Sequence, residues 1–147
     1  MKHFLMMDLL RAYYWFDEAL QVGLRKYGWS DVTRSQSLIL ANIAFGVRRG
    51  ADLARNLGVT RQAVSQMLAE MERKELIQFK ADPSDGRAQI VSFSDSSQKL
   101  RDDAMNILAA IERHLAEQLG KDQLALLGEA LRSDWGEAAA VIDRVPA

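Results

Sequence analysis

A mainly α-helical fold carrying one small β-hairpin is what the sequence predicts, and three observations carry that expectation. The chain has only two prolines, Pro83 and Pro146, so nothing before residue 83 forbids helix. Gly28, Gly46, Gly58 and Gly120 divide it into segments whose apolar residues recur at helical spacing. Between Leu76 and Phe93 the pattern changes to two short β-prone runs separated by turn formers.

The elements follow in order. A first helix is expected from about Phe4 to Tyr27; with Leu9, Leu10, Tyr13, Trp15, Phe16, Leu20 and Leu24 it has too many apolar positions for one narrow stripe and needs partners on two sides. After a loop through Gly28 to Asp31, Thr33 caps a second helix. Gln36 stands three residues on, the reciprocal capping-box arrangement. Leu38, Ile39, Leu40, Ile43 and Phe45 make this helix largely buried, and Gly46 ends it. Two short helices come next, about 51–57 and 61–74, divided by Gly58 and Val59, with Thr60 placed to cap the second. Strands are expected over 76–80 and 89–93, joined through Asp82, Pro83, Ser84, Asp85 and Gly86 by a loop longer than the tightest hairpin turns. Ser94 is expected to cap a long helix to about Leu119. A last helix from Asp122 then carries Leu124, Leu127, Leu131, Trp135, Ala138 and Ile142.

Composition bounds what such a chain does. Its 147 residues make one compact domain or one protomer of an intertwined oligomer, and 48% apolar with 27% charged residues is a globular balance. Without cysteine there is no disulfide framework, thiolate nucleophile, thiolate zinc site or cysteine-based redox switch. His3 and His114 are the only histidines, so neither a metal site nor a cofactor is expected. The opening MKHFLMMDLL reaches Asp8 after a short apolar run with no small-residue cleavage site. It reads as neither signal peptide nor membrane span, and a soluble cytoplasmic protein is expected. A search for a nucleophile beside a base, paired acids, a phosphate loop or clustered metal ligands finds none, so no enzyme is expected. Glu112 and Glu117 near His114 read as a solvated helix face.

The pair of short helices carries the strongest local signal. Ala54, Gly58 and Val64 have the spacing of a helix-turn-helix: a small residue at the crossing, a glycine able to take positive φ, and an aliphatic residue facing back. Leu53, Leu57, Val64, Leu68 and Met71 close a small core. An ordinary helical hairpin would also end in glycine, but the two strands that follow make the unit a winged helix.

At about 100° per residue, Gln62, Gln66, Ala69 and Arg73 lie opposite the apolar face of the second short helix, flanked by Arg61 and Ser65. This face suits a major groove, where Gln pairs with adenine and Arg with guanine, and Thr60 with the helix N-terminus offers a phosphate site. Any surface helix turns polar residues outward, but a merely solvated face more often alternates Glu and Lys. Arg87 follows the turn, where it either enters a minor groove or is simply solvated. Asp85, two residues earlier, is placed to hold its guanidinium.

The run from Ala51 to Arg101 resembles the DNA-binding lobe of the MarR family of bacterial transcriptional regulators. The likeness lies in the Leu-Ala-x-x-Leu-Gly-Val-Thr approach to the second short helix (53–60), in Leu76-Ile77 after Lys74 and Glu75, and in the Asp85-x-Arg87 pattern with Asp82 before it. VTRSQSLILANIA also resembles that family's second helix, and Gly86 stands where a second basic residue is common. The resemblance implies a winged helix-turn-helix DNA-binding lobe over 33–93 and a helical dimerisation region over 1–30 and 94–147. It further implies a homodimer reading a palindromic operator in double-stranded DNA, commonly as a repressor, with a small anionic or aromatic effector between lobe and dimer core. The surplus of apolar surface on the first and last helices supports the dimer independently. Tyr13, Tyr14, Trp15 and Phe16 form an aromatic cluster that serves either packing or an effector pocket, with Tyr13, Trp15 and Phe16 the candidates.

A winged helix can also serve protein contacts alone, which an apolar or acidic outer face or a missing wing arginine would favour. Neither holds. The formal net charge of −1 does not exclude DNA, because residues 48–101 carry ten Lys or Arg against seven Asp or Glu. That segment is +3 and the remainder −4, so discrimination falls to two recognition helices acting together rather than to a large positive field.

Overall fold

The computed structural model describes residues 2–147. The helices are α1 (Leu5–Lys26), α2 (Arg34–Ala44), α3 (Gly50–Leu57), α4 (Arg61–Arg73), α5 (Gln98–Leu119), α6 (Lys121–Arg132) and α7 (Ala138–Ile142), with strands β1 (Ile77–Asp82) and β2 (Asp85–Phe93) between α4 and α5. The chain divides into two compact units, residues 1–108 and 109–147.

In the first unit, α2 begins with the expected capping box: Thr33 Oγ1 accepts from the Gln36 amide at 3.2 Å and Gln36 Oε1 from the Thr33 amide at 3.1 Å. Ile39 and Ile43 of α2 are fully buried with Leu53 of α3, Val64 and Met71 of α4, and Ile77 and Val91 of the hairpin. At about 1.5–3 kcal/mol for each fully buried aliphatic side chain, this cluster is the main force gathering the short elements. Gly23 marks a close approach of α1 and α5, since a Cβ there would stand 2.7 Å from the Ile107 side chain.

Polar ties complete the unit. The Trp29 indole N–H donates to Asp103 Oδ2 of α5 at 2.8 Å, and Lys99 Nζ pairs with the same oxygen at 3.0 Å. These contacts, the indole's first, hold the Asp103 carboxyl below the usual carboxylate range. Asp17 of α1 is buried against Arg34 of α2, and Gln21 Nε2 donates to Ser37 Oγ at 2.6 Å.

Two expectations need correction here. Ser94 does precede the helical turn Asp95–Ser97 that leads into α5, but its hydroxyl makes no capping bond. It donates instead to the Glu75 carbonyl, which Ser96 Oγ also reaches at 3.0 Å. Glu75 has φ +60°, and that left-handed turn after α4 presents its carbonyl to both serines. The last helix is also broken in two. Gly136 takes φ +77°, its amide donates to Asp134 Oδ1 at 2.8 Å, and the Trp135 indole donates back to the Ala130 carbonyl at 2.9 Å. Side-chain groups, an Asp134 acceptor and a Trp135 donor, thus replace the helical ladder across 133–137. In this second unit Leu126, Leu127, Leu131, Trp135, Val141 and Ile142 remain exposed. Among the described residues no helix is long and apolar enough to cross a membrane.

Candidate nucleic-acid interface

The helix-turn-helix forms as its residue types require. Gly58 ends α3 at φ +69°, ψ 32°, a conformation costly for residues with a Cβ. Its amide returns to the Arg55 carbonyl, and the Val59 amide reaches the Ala54 carbonyl at 3.1 Å. Thr60 then caps α4, its Oγ1 accepting from the Ala63 amide at 3.1 Å. Leu53, Ala54, Val64, Leu68 and Met71 are buried between the helices, while Leu57 is only half-buried.

The expected outer face of α4 is present. Arg61, Gln62, Ser65, Gln66 and Arg73 are all exposed, as is Thr60 at the start of the helix, and Ala69 is half-buried. Lys74 anchors the far end, its Nζ donating to the Asp31 carbonyl at 2.6 Å and to Gln36 Oε1 at 3.2 Å. The presented surface is therefore fixed at both ends, by the Gly58–Thr60 turn and by Lys74.

The hairpin is longer and tighter at its tip than expected. Its strands pair antiparallel with Ile77 opposite Phe93 and Ala81 opposite Gln89, and only Pro83 and Ser84 lie between them. Between Ala81 and Asp82 the register shifts, so that Asp82 faces Asp85. Gly86, Arg87 and Ala88 thus bulge from β2 without partners across the ladder. Arg87 is exposed on this bulge. Asp85 does not hold the Arg87 guanidinium: its Oδ1 accepts from the Arg87 backbone amide at 3.0 Å, so it shapes the turn and leaves the side chain to reach outward.

Sequence reasoning missed the partner of Asp82. Its carboxylate, nearly buried, accepts from the Ser84 amide at 2.8 Å and the Ser84 hydroxyl at 2.7 Å, and pairs with Arg49 at the start of α3. The Ser84 bonds first, then Arg49, hold its pKa below the ordinary value. Asp-Pro-Ser signalled the turn, but nothing local signalled a partner thirty-three residues away. Arg49, Arg61 and Arg87 line one groove of about 700 Å³ between the start of α4 and the hairpin, with Ser65 and Gln89 beside them. The arrangement places cationic and hydrogen-bonding groups along an open groove, as an anionic polymer requires.

A second cavity, about 260 Å³, lies among α1, α2, the end of β2 and the start of α5. Leu20, Leu24, Leu40, Phe93, Leu100 and Met105 are among its lining residues, and Arg101 is a cation at its wall. The Arg101 guanidinium lies 4.7 Å from the centroid of the Phe93 ring, and its Nε is buried with no hydrogen-bond partner among the described residues. None of the aromatic candidates Tyr13, Trp15 and Phe16 lines this cavity. Tyr13 and Trp15 are exposed on α1, and Trp15 packs edge-on to the half-buried Phe16 at 5.3 Å between centroids. Partial burial, then the Asp17 carboxylate, raises the Tyr13 phenol above its ordinary pKa. No cluster of three or more His, Asp or Glu able to hold a metal occurs among the described residues.

Residues 30–88 match the sequence model of the MarR family. Solved structures with the same fold include apo wild-type MarR from E. coli (19% identity, TM-score 0.68, covering 90% of this chain and 96% of that one). The transcriptional regulator PA4135 is similar over 99% of this chain and all of its own, at 19% identity and TM-score 0.70. An S. aureus MepR mutant bound to an oligodeoxyribonucleotide aligns at 24% identity and TM-score 0.57, covering 88% of this chain and 94% of that one. No curated protein sequence gave a significant match.

Proposed function

We propose that this chain, whose residues 30–88 match the MarR-family sequence model, is a transcriptional repressor that binds a palindromic operator in duplex DNA as a homodimer. The observation that carries the reading is the groove in which Arg61 and Ser65 of α4 face Arg87 of the wing. In it α4 enters the major groove with Gln62 and Gln66 toward base edges, Thr60, Arg61 and Ser65 near the backbone, and Arg73 at the trailing end. Arg87 reaches the neighbouring minor groove. Residues 33–93 act as the DNA-binding lobe, and residues 1–30 and 94–147 as the dimerisation region. Exposed apolar side chains in each unit, such as Leu5, Met6 and Leu10 in the first and Leu127, Trp135 and Ile142 in the second, support the dimer. Nothing in the groove has the constellation of a reacting centre, which favours binding over catalysis.

Selection of bound sequences from random duplex DNA at fixed salt tests this reading. The expected result is an enriched motif with dyad symmetry. Enrichment of no motif would overturn it and favour a module for protein contacts.

Release by a small effector belongs to the same reading. The apolar cavity beside Arg101 suits a small apolar or aromatic anion, because its walls are hydrocarbon and a buried guanidinium nitrogen lacks an acceptor. Such a ligand releases DNA only if it binds the DNA-free state more tightly. Benzoate, as a simple probe, is expected to dissociate the operator complex of the wild type and to lose at least about tenfold in potency against Arg101→Gln, as loss of a charge-assisted bond implies. Equal potency on both proteins would remove Arg101 from the role.

A further inference from the structure

The wing of this chain is supported from outside the hairpin. Below its tip the β1–β2 ladder is interrupted, because the register shift between Ala81 and Asp82 leaves residues 86–88 without partners across the hairpin. Ladder hydrogen bonds therefore do not set the direction in which Arg87 projects. Besides the packing of Ile77 and Val91 in the core, two polar attachments reach the hairpin from outside, and they come from adjacent residues. At the base, the Val91 amide donates to the Arg48 carbonyl at 2.8 Å. Near the tip, Arg49 pairs with Asp82, whose carboxylate also closes the turn through both Ser84 bonds. Val91 lies opposite Phe79, three residues before Asp82, so the two attachments are about 10 Å apart along the wing. Attachment at two separated points fixes an angle, where one point leaves a hinge. Arg48 and Arg49 immediately precede α3, which packs on α4, so the angle is set relative to the helix-turn-helix.

We propose that Arg49 and Asp82 are positioning residues whose ion pair holds the wing at the angle that delivers Arg87 to DNA. The inference rests on the DNA-binding reading above, and its sign separates it from simple electrostatics. Asp82 is an anion whose partner Arg49 lines the groove with Arg61 and Arg87. By charge alone, removing that anion strengthens the attraction for phosphate. If the pair positions Arg87, removing it weakens operator binding.

The test is a cycle of Asp82→Asn, Arg87→Ala and the double variant, titrated against the selected operator across a salt series, with circular dichroism confirming the fold. Asp82→Asn is expected to weaken operator binding about tenfold and, like Arg87→Ala, to lower the steepness of the salt dependence, as loss of a DNA-contacting cation does. The double variant is expected to bind no more weakly than Arg87→Ala. Arg49→Gln, which leaves the Asp82–Ser84 turn whole, is expected to show the same pattern and serves where Asp82→Asn is poorly folded. Unchanged or tighter operator binding by Asp82→Asn would overturn the pair's role while leaving the DNA-binding reading intact. Additive losses in the double variant would also overturn it, because a general structural defect acts whether or not Arg87 is present. A wild-type protein that binds no duplex selectively would overturn both.

Discussion

Leu53→Ala is expected to lower the unfolding free energy by about 3 kcal/mol, within the roughly 2–5 kcal/mol range for deleting a fully buried leucine. Leu53 has no exposed surface, and Val64 and Met71 on the facing helix are equally enclosed. The two helices are 8 and 13 residues long, too short to be stable alone, so they depend on tertiary packing with Leu53 near its centre. Loss of three side-chain carbons leaves a void that short helices closed by a fixed turn cannot collapse to fill. Urea denaturation at one protomer concentration measures it, the concentration being held because association adds to apparent stability. A loss below about 1 kcal/mol would mean that the helix-turn-helix is not organised around Leu53.

The second large effect concerns reading rather than folding. Gln62→Ala and Gln66→Ala are each expected to cost operator binding about 1–3 kcal/mol per half-site, with little change on a scrambled duplex. Both glutamines are exposed on the outer face of α4 and neutral, so losing either removes base-edge contacts without removing counterion release. Their salt dependence should therefore match the wild type, whereas that of Arg87→Ala should be shallower. Binding measured on both duplexes across a salt series separates the two classes. Equal losses on operator and scrambled DNA would show that the glutamines do not read bases.

Much of this was legible in the sequence wherever the determinants lie close together along the chain. Thr33 with Gln36, Gly58 with Thr60, and the alternation of Val64, Leu68 and Met71 with outward Gln62 and Gln66 are relations within one or two helical turns. The structure keeps each of them. Where a residue has a competing partner, the local pattern does not show it. Ser94 has the composition of a helix cap, yet its hydroxyl serves the Glu75 carbonyl across the chain. Asp85 lies close to the Arg87 side chain in sequence but takes the backbone amide, because an Asp that starts a turn finds that donor first. Helical periodicity ran on through Trp135 because apolar spacing does not register a break made by Asp134, an indole hydrogen bond and a left-handed Gly136.

The candidate groove was legible only in part. The exposed residues of α4 and the wing arginine follow from periodicity and turn composition, whereas Arg49 and Arg101 depend on contacts that no local pattern encodes. Arg49 meets Asp82 only once the hairpin folds back on α3, and Arg101 meets Phe93 only where α5 leaves the hairpin. The aromatic run on α1 is consistent in sequence with packing or a pocket, whereas the apolar cavity is walled mainly by aliphatic side chains of separate elements, a property invisible to any one helix.

On the proposed function, two copies of this lobe read one duplex together. Footprinting on the selected operator, with the protein-to-duplex ratio measured alongside, tests it most directly. Two protected half-sites centred about one helical turn apart, with two chains bound per duplex, are expected. Protection of a single unpaired half-site by one chain would contradict it.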